Sequence, residues 1–200
     1  MALIEQRQQA RADLLQTPAG ERMCVALAHR QRLEFAAWGK QLRADPELAG
    51  VVADSGAYLC LMHMLGAPRT MQDNPVYEDV VSDIKAFLEE RLAFAIAAGV
   101  QEEHICLDPG IGFGKTVQQN LELIRRLDEL AALGRPLVIG FSRKSSLGRI
   151  VGDPTARTGS IAASLGAAIS AYERGATLLR VHDVREHVEA LAVAKAVAEG

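Results

Sequence analysis

The sequence predicts an α/β fold assembled from βα units of the (β/α)8, TIM-barrel type, and three observations carry that reading. After about residue 56, four short apolar runs, "AYLCLMH", "HICLDPG", "PLVIGFS" and "TLLRVHD", each lead into a polar or glycine-rich turn and then into a helical pattern. Runs this apolar suit parallel strands buried on both faces by helices. The third observation is positional. His63, Asp108, Lys144 and His182 close the four runs, so the polar residues stand at equivalent strand ends. Their spacing slightly exceeds the roughly 31 residues per unit of a barrel of about 250 residues. In a barrel such ends converge on one mouth, whereas an open doubly wound sheet binds its ligand at a switch point.

The elements follow in order. After the first run, Val80, Ile84, Phe87, Leu88, Leu92 and Ala95 recur at three- and four-residue steps, with Glu89, Glu90 and Arg91 between them, which predicts a helix with one face on the sheet. Thr116 and Gln119 form a T-x-x-Q capping box for a helix running to about Leu133. Asp153 and Pro154 fit the N-cap and first residue of another helix. Gly99, Gly134 and Gly175 supply left-handed stops.

Composition narrows the function. With 200 residues, 49% hydrophobic and 24% charged, and a net charge of -3, the chain reads as an ordinary globular domain. Mild acidity offers no footprint for nucleic acid or an anionic membrane, so a small-molecule partner is expected. Cys24, Cys60 and Cys106 are odd in number and lack metal-ligand spacing, and the last two lie in apolar runs, which fits a reducing cytoplasm. The opening "MALIEQRQQARADLL" carries charges where a signal peptide needs an apolar stretch, and Leu92 to Val100 is too short to span a bilayer.

The most concentrated motif is "CLDPGIGFGKT". A P-loop requires a glycine where Pro109 stands, and Gly110, Gly112 and Gly114 are spaced G-x-G-x-G rather than as a dinucleotide fingerprint. Asp108 therefore needs another explanation. A carboxylate at a strand end can accept two N–H donors of a heterocycle at once, although a turn or cap role suits the residue equally. Arg143, Lys144, Ser145 and Ser146 in "GFSRKSS" stand where a helix or loop begins, a place for anionic or carbonyl oxygens. Arg180 and His182 lie two apart on one side of their strand and can clamp a phosphate or stack on a ring. Taken singly, His63 and His182 read as hydrogen-bonded core histidines; their recurrence at matched strand ends favours function.

Together, "YLCLMHM…PRTMQ", "LDPGIGFGKT", "GFSRKSSLGRI" and "TLLRVHDVREHVEA" resemble, in order, the signatures of the dihydropteroate synthases of the pterin-binding barrel family. The resemblance covers about residues 38–200. It implies a transferase of folate biosynthesis that joins 6-hydroxymethyl-7,8-dihydropterin diphosphate to 4-aminobenzoate and releases pyrophosphate. By this likeness Asp108 and Lys144 bond the pterin, Arg180 stacks on it and Met62 lines its pocket. Arg180 and His182 hold the diphosphate, and Phe113 and Ser145 face the aminobenzoate. Lys144, Arg180 and His182 are the expected catalytic set. A methyltetrahydrofolate-dependent methyltransferase shares the barrel, but the "SRKS" lysine and the "RVHD" ending favour the synthase.

The family also implies four earlier βα units, with "NVTPDSF"-like and "ESTRPG"-like motifs, that do not appear in this sequence. The resemblance thus covers the last four units, a half barrel, behind an N-terminal segment of residues 1–37 expected to be helical. The family implies magnesium, yet Asn74 and Asn120 stand outside the context of its asparagine ligand. Two expectations follow: a transferase whose missing half comes from another chain or a second copy, or a truncated pterin-binding fragment without turnover. Unpaired edges of the first and last strands favour self-association, a homodimer being the simplest form.

Overall fold

The structure, a computed structural model, describes residues 46–199. The expected helical segment 1–37 lies outside the described residues. Helix α1 (Pro46–Ser55) precedes strand β1 (Leu59–Met62), and helix α2 (Val80–Ala97) leads through a short 3-10 turn to β2 (Ile105–Asp108). Helices α3 (Val117–Arg125) and α4 (Leu127–Ala131) follow, then β3 (Val138–Ile139), α5 (Ser145–Ile150), α6 (Ile161–Glu173), β4 (Leu178–Leu179) and α7 (Val184–Glu199). Strands β1 and β2 pair in parallel, as do β3 and β4, and a parallel bridge from Leu107 to Leu137 joins the two pairs. The fold is α/β, as the βα rhythm predicts. Among the described residues no strand lies beyond β1 or β4.

Period-two alternation along the strands sorts their side chains into two layers. Leu59, Leu61, Ile105, Leu107 and Ile139 enter a large core with Ile84, Leu88, Leu123 and Leu127 from the helices. Burying an aliphatic side chain of this kind contributes about 1.5–3 kcal/mol, so this face carries most of the fold's stability. On the opposite face Cys60, Cys106, Val138 and Leu178 form a second, thinner cluster.

Local signals set the helix ends. Asp79 caps α2 by accepting from the Ser82 N–H at 2.7 Å. The Thr116–Gln119 capping box is formed in both directions at α3. Gly99, Gly134 and Gly175 adopt φ of 95°, 74° and 104°, the left-handed conformation expected of helix stops. Three expectations need correction. The helix from Thr116 breaks at Arg126, whose φ of −108° and ψ of 31° end α3 before α4 begins. Asp153 starts no helix: its Oδ1 accepts from both the amide and the hydroxyl of Thr155, closing a turn, and α6 is capped instead by Ser160, which accepts from the Ala163 N–H at 3.1 Å. Arg91 is not on the solvent face of α2. It is 3% exposed, with Nη2 2.7 Å from Glu90 and its guanidinium 5.5 Å from the centre of the Phe87 ring.

Candidate active site

The face that carries the cysteines changes character one step further along the strands. Met62 pairs with Asp108, and the next positions after the Ile139–Leu179 pair are Gly140 and Arg180. A single row across the strand ends therefore holds Met62, Asp108, Gly140 and Arg180. Asp108 is 2% exposed. Its Oδ1 accepts the Gly110 N–H at 2.7 Å, and Oδ2 lies 3.7 Å from Arg180 Nη2. One carboxylate oxygen thus closes the turn, as the turn reading of this residue expects, while the other faces the Arg180 cation. Burial pushes the Asp108 carboxyl above its usual range, opposed by the Gly110 N–H and by the charges of Arg180, Lys115 and Lys144.

The glycine-rich loop after β2 is shaped by close approach. At Gly110, with φ of 71°, an added Cβ would overlap the carbonyl oxygen of His63. At Gly114 a Cβ would meet that of Leu65 at 2.6 Å. Lys115 ties the loop down: its Nζ donates to Gly110 O at 2.9 Å and Phe113 O at 3.0 Å, and lies 3.0 Å from His63 Nδ1. Burial pulls the Lys115 ammonium down to about 7, a fall that Asp108 opposes. His63 is buried edge-on against Phe87 at 4.9 Å between ring centres and anchors the loop through Lys115. Asn120 accepts the Gly112 N–H at 2.8 Å and donates to Thr116 O at 2.8 Å.

Lys144, the N-cap of α5, lays its ammonium 4.2 Å from the centre of the half-buried Phe113 ring. Burial lowers its pKa, as does Arg180, while Asp108 opposes the fall. Ser145 follows as the half-buried first residue of α5. Gly140 gives room to Arg180, since a Cβ there would collide with the guanidinium. The turns after β3 and β4 are joined twice. Ser142 Oγ lies 3.1 Å from His182 Nδ1 and accepts the His182 N–H at 3.2 Å. Arg143 forms an ion pair with Asp183, which raises the arginine's pKa and lowers that of the aspartate.

Asp108, Met62, Lys144, Arg180 and Phe113 are thus drawn to one end of the sheet, with Ser145 beside Lys144 and His182 at the adjoining turn. Lys115, Gly140 and Ser142 escaped the sequence reading. Period-two alternation through "LVIGFS" places Gly140 on the same face as Val138, which is the signal that could have found it. Both ends of the Asn120 amide are engaged by backbone, and among the described residues no three His, Cys, Asp or Glu side chains are grouped to hold a metal. No helix among the described residues is long and apolar enough to cross a membrane.

Comparison with known proteins gives the family. The profile of the "pterin binding enzyme" family matches residues 27–182. Dihydropteroate synthase of Neisseria meningitidis serogroup C is 48% identical over 149 residues, covering 72% of this chain and 50% of that protein. The Yersinia pestis dihydropteroate synthase, solved with a sulfonamide drug, superposes with a TM-score of 0.72 at 37% identity, covering 78% of this chain and 56% of the other. The Thermus thermophilus synthase in complex with 4-aminobenzoate gives a TM-score of 0.69 at 44% identity, covering 77% and 62%. This chain spans about half the length of the curated relatives it matches. From strand register to glycine loop, and by the extent of these matches, the chain belongs to the family of pterin binding enzymes.

Proposed function

We propose that this chain carries the C-terminal half of a dihydropteroate synthase site, arranged as the last four units of a (β/α)8 barrel. The observation that carries the reading is the row Met62, Asp108, Gly140 and Arg180, with Lys144 laid on Phe113 beside it. In the proposed reaction the bond between the pterin methylene carbon and the diphosphate oxygen breaks. The aminobenzoate nitrogen then bonds that carbon, and its surplus proton leaves to solvent or to the pyrophosphate. Asp108 and Lys144 orient the pterin ring, with Met62 lining its pocket. Arg180 stacks on the ring and shares with His182 the charge that builds on the departing anion. Phe113 and Ser145 meet the aminobenzoate. Positioning and charge stabilisation suffice for such a displacement, so no protein nucleophile is required.

The reading extends to a cytoplasmic protein that associates with itself, because β1 and β4 present open edges among the described residues. Aminobenzoate incorporation, measured on fractions from size exclusion with light scattering, tests activity and assembly together. Association with weak turnover is expected. A monomer of 21.5 kDa with full turnover would refute the need for a partner. Absence of pterin binding by calorimetry, in any assembly state, would remove the synthase reading itself.

A further inference from the structure

Ser142 belongs to none of the roles above, yet it is 5% exposed and its single oxygen meets two groups of His182. Its hydrogen-bonding capacity decides the arrangement. A backbone N–H can only donate, so the His182 amide at 3.2 Å occupies one lone pair of Ser142 Oγ. The hydroxyl proton then needs an acceptor. Among the described residues, the one hydrogen-bonded partner left for it is His182 Nδ1 at 3.1 Å. Were Nδ1 to carry the proton instead, it would donate to Oγ and leave the buried hydroxyl proton without a partner, which is costly. His182 is otherwise an exposed residue.

We propose that Ser142 is a positioning residue that fixes the neutral His182 ring with its proton on Nε2, so that this N–H is the donor offered to the departing diphosphate. The inference rests on the reading of His182 as an anion contact. It adds that the orientation is set from the end of β3, forty residues away in the chain. The same hydroxyl also fastens the backbone of the β4 turn, so ring and main chain are registered to β3 through one atom.

The test uses the full chain with 15N-labelled histidine, at a pH about two units above the ordinary imidazole value of about 6.5. His182→Ala identifies the His182 ring signals. An unprotonated Nδ1 and a protonated Nε2 in the parent support the assignment, and a protonated Nδ1 overturns it. Pyrophosphate is the probe for the second arm. Ser142→Ala should weaken its binding by about three- to ten-fold, and Ser142→Thr should restore it. On a His182→Ala background, Ser142→Ala should cost nothing further. A loss of the same size on that background would make Ser142 merely structural and overturn the proposal. If His182→Ala itself leaves pyrophosphate binding unchanged, the anion role of His182 falls, and with it the delivery of the donor, whereas the tautomer is still decided by the spectrum.

Discussion

The two sides of the site are built differently. On the β1–β2 side, Asp108 and Lys115 are almost wholly buried, and most of their ties run to backbone, namely the Gly110 N–H and the Gly110 and Phe113 carbonyls, with the glycine loop pressed against His63. On the β3–β4 side, Arg180 and His182 are exposed and Lys144 is half-exposed, held by contacts between side chains or by one hydroxyl. Under the proposed function this side reads a neutral heterocycle edge-on, and a fixed and desolvated acceptor gains from rigidity. Under the same proposal the other side holds and releases a highly charged anion, and cations that keep part of their hydration bind it without trapping it.

The sharpest way to break this comparison is at Gly110. Alanine there meets both a left-handed φ of 71° and the His63 carbonyl, so Gly110→Ala should cost about 3 kcal/mol or more in denaturant unfolding. A loss below about 1 kcal/mol would show that the loop yields and that the β2 side is not rigid. Next in size is Asp108→Asn, which removes the acceptor charge while keeping the shape. Pterin affinity by calorimetry should fall by about 1.5–3 kcal/mol, with Lys144→Ala in the same range. Unchanged affinity would end the role of whichever residue was replaced.

Lys115 gives a smaller, pH-dependent effect. Its folded value of about 7 lies below its ordinary 10.5, so between these values the unfolded chain holds a proton that the folded chain lacks. Stability should therefore fall as pH drops through that window, by at most about 1.4 kcal/mol per pH unit, and level off below about 7. Lys115→Met should remove that part of the slope. Urea unfolding of both proteins between pH 7 and 9.5, roughly the accessible part of the window, measures the difference. Parallel curves would mean that the lysine stays charged in the fold. The smallest effect is expected at the exposed side. Arg143 holds a φ of 56° and pairs with Asp183, so Arg143→Gly relieves strain while losing a surface ion pair, and stability should change by less than about 0.5 kcal/mol.

Much of this was legible in the sequence because it depends on local chemistry. The capping box of Thr116 and Gln119, the glycine stops and the four apolar runs are each decided within a few residues, and the family motifs brought Asp108, Lys144 and Arg180 to one end of the sheet. Other features depend on contacts distant in sequence. Arg91 reads as solvent-facing because its letter is charged, yet the Phe87 ring and Glu90 accommodate it under the helix. Asp153 has the chemistry of a cap, but Thr155 takes its oxygen first. Lys115 looks like part of a phosphate loop, and only the return of His63 across the strand end shows where its ammonium goes.

The enclosure of Lys115 has a consequence for chemical footprinting. A lysine whose pKa falls to about 7 holds a large fraction of free amine at neutral pH, so by ionisation alone it should react with an acylating reagent before the other described lysines. Here its nitrogen is shut in by two carbonyls and an imidazole at 3% exposure, so in the intact fold it should be the last of the described lysines. Each opening of the glycine loop would reverse that order. The acylation rate at Lys115, referred to that at half-exposed Lys144, thus reads how often the loop lets go of β1.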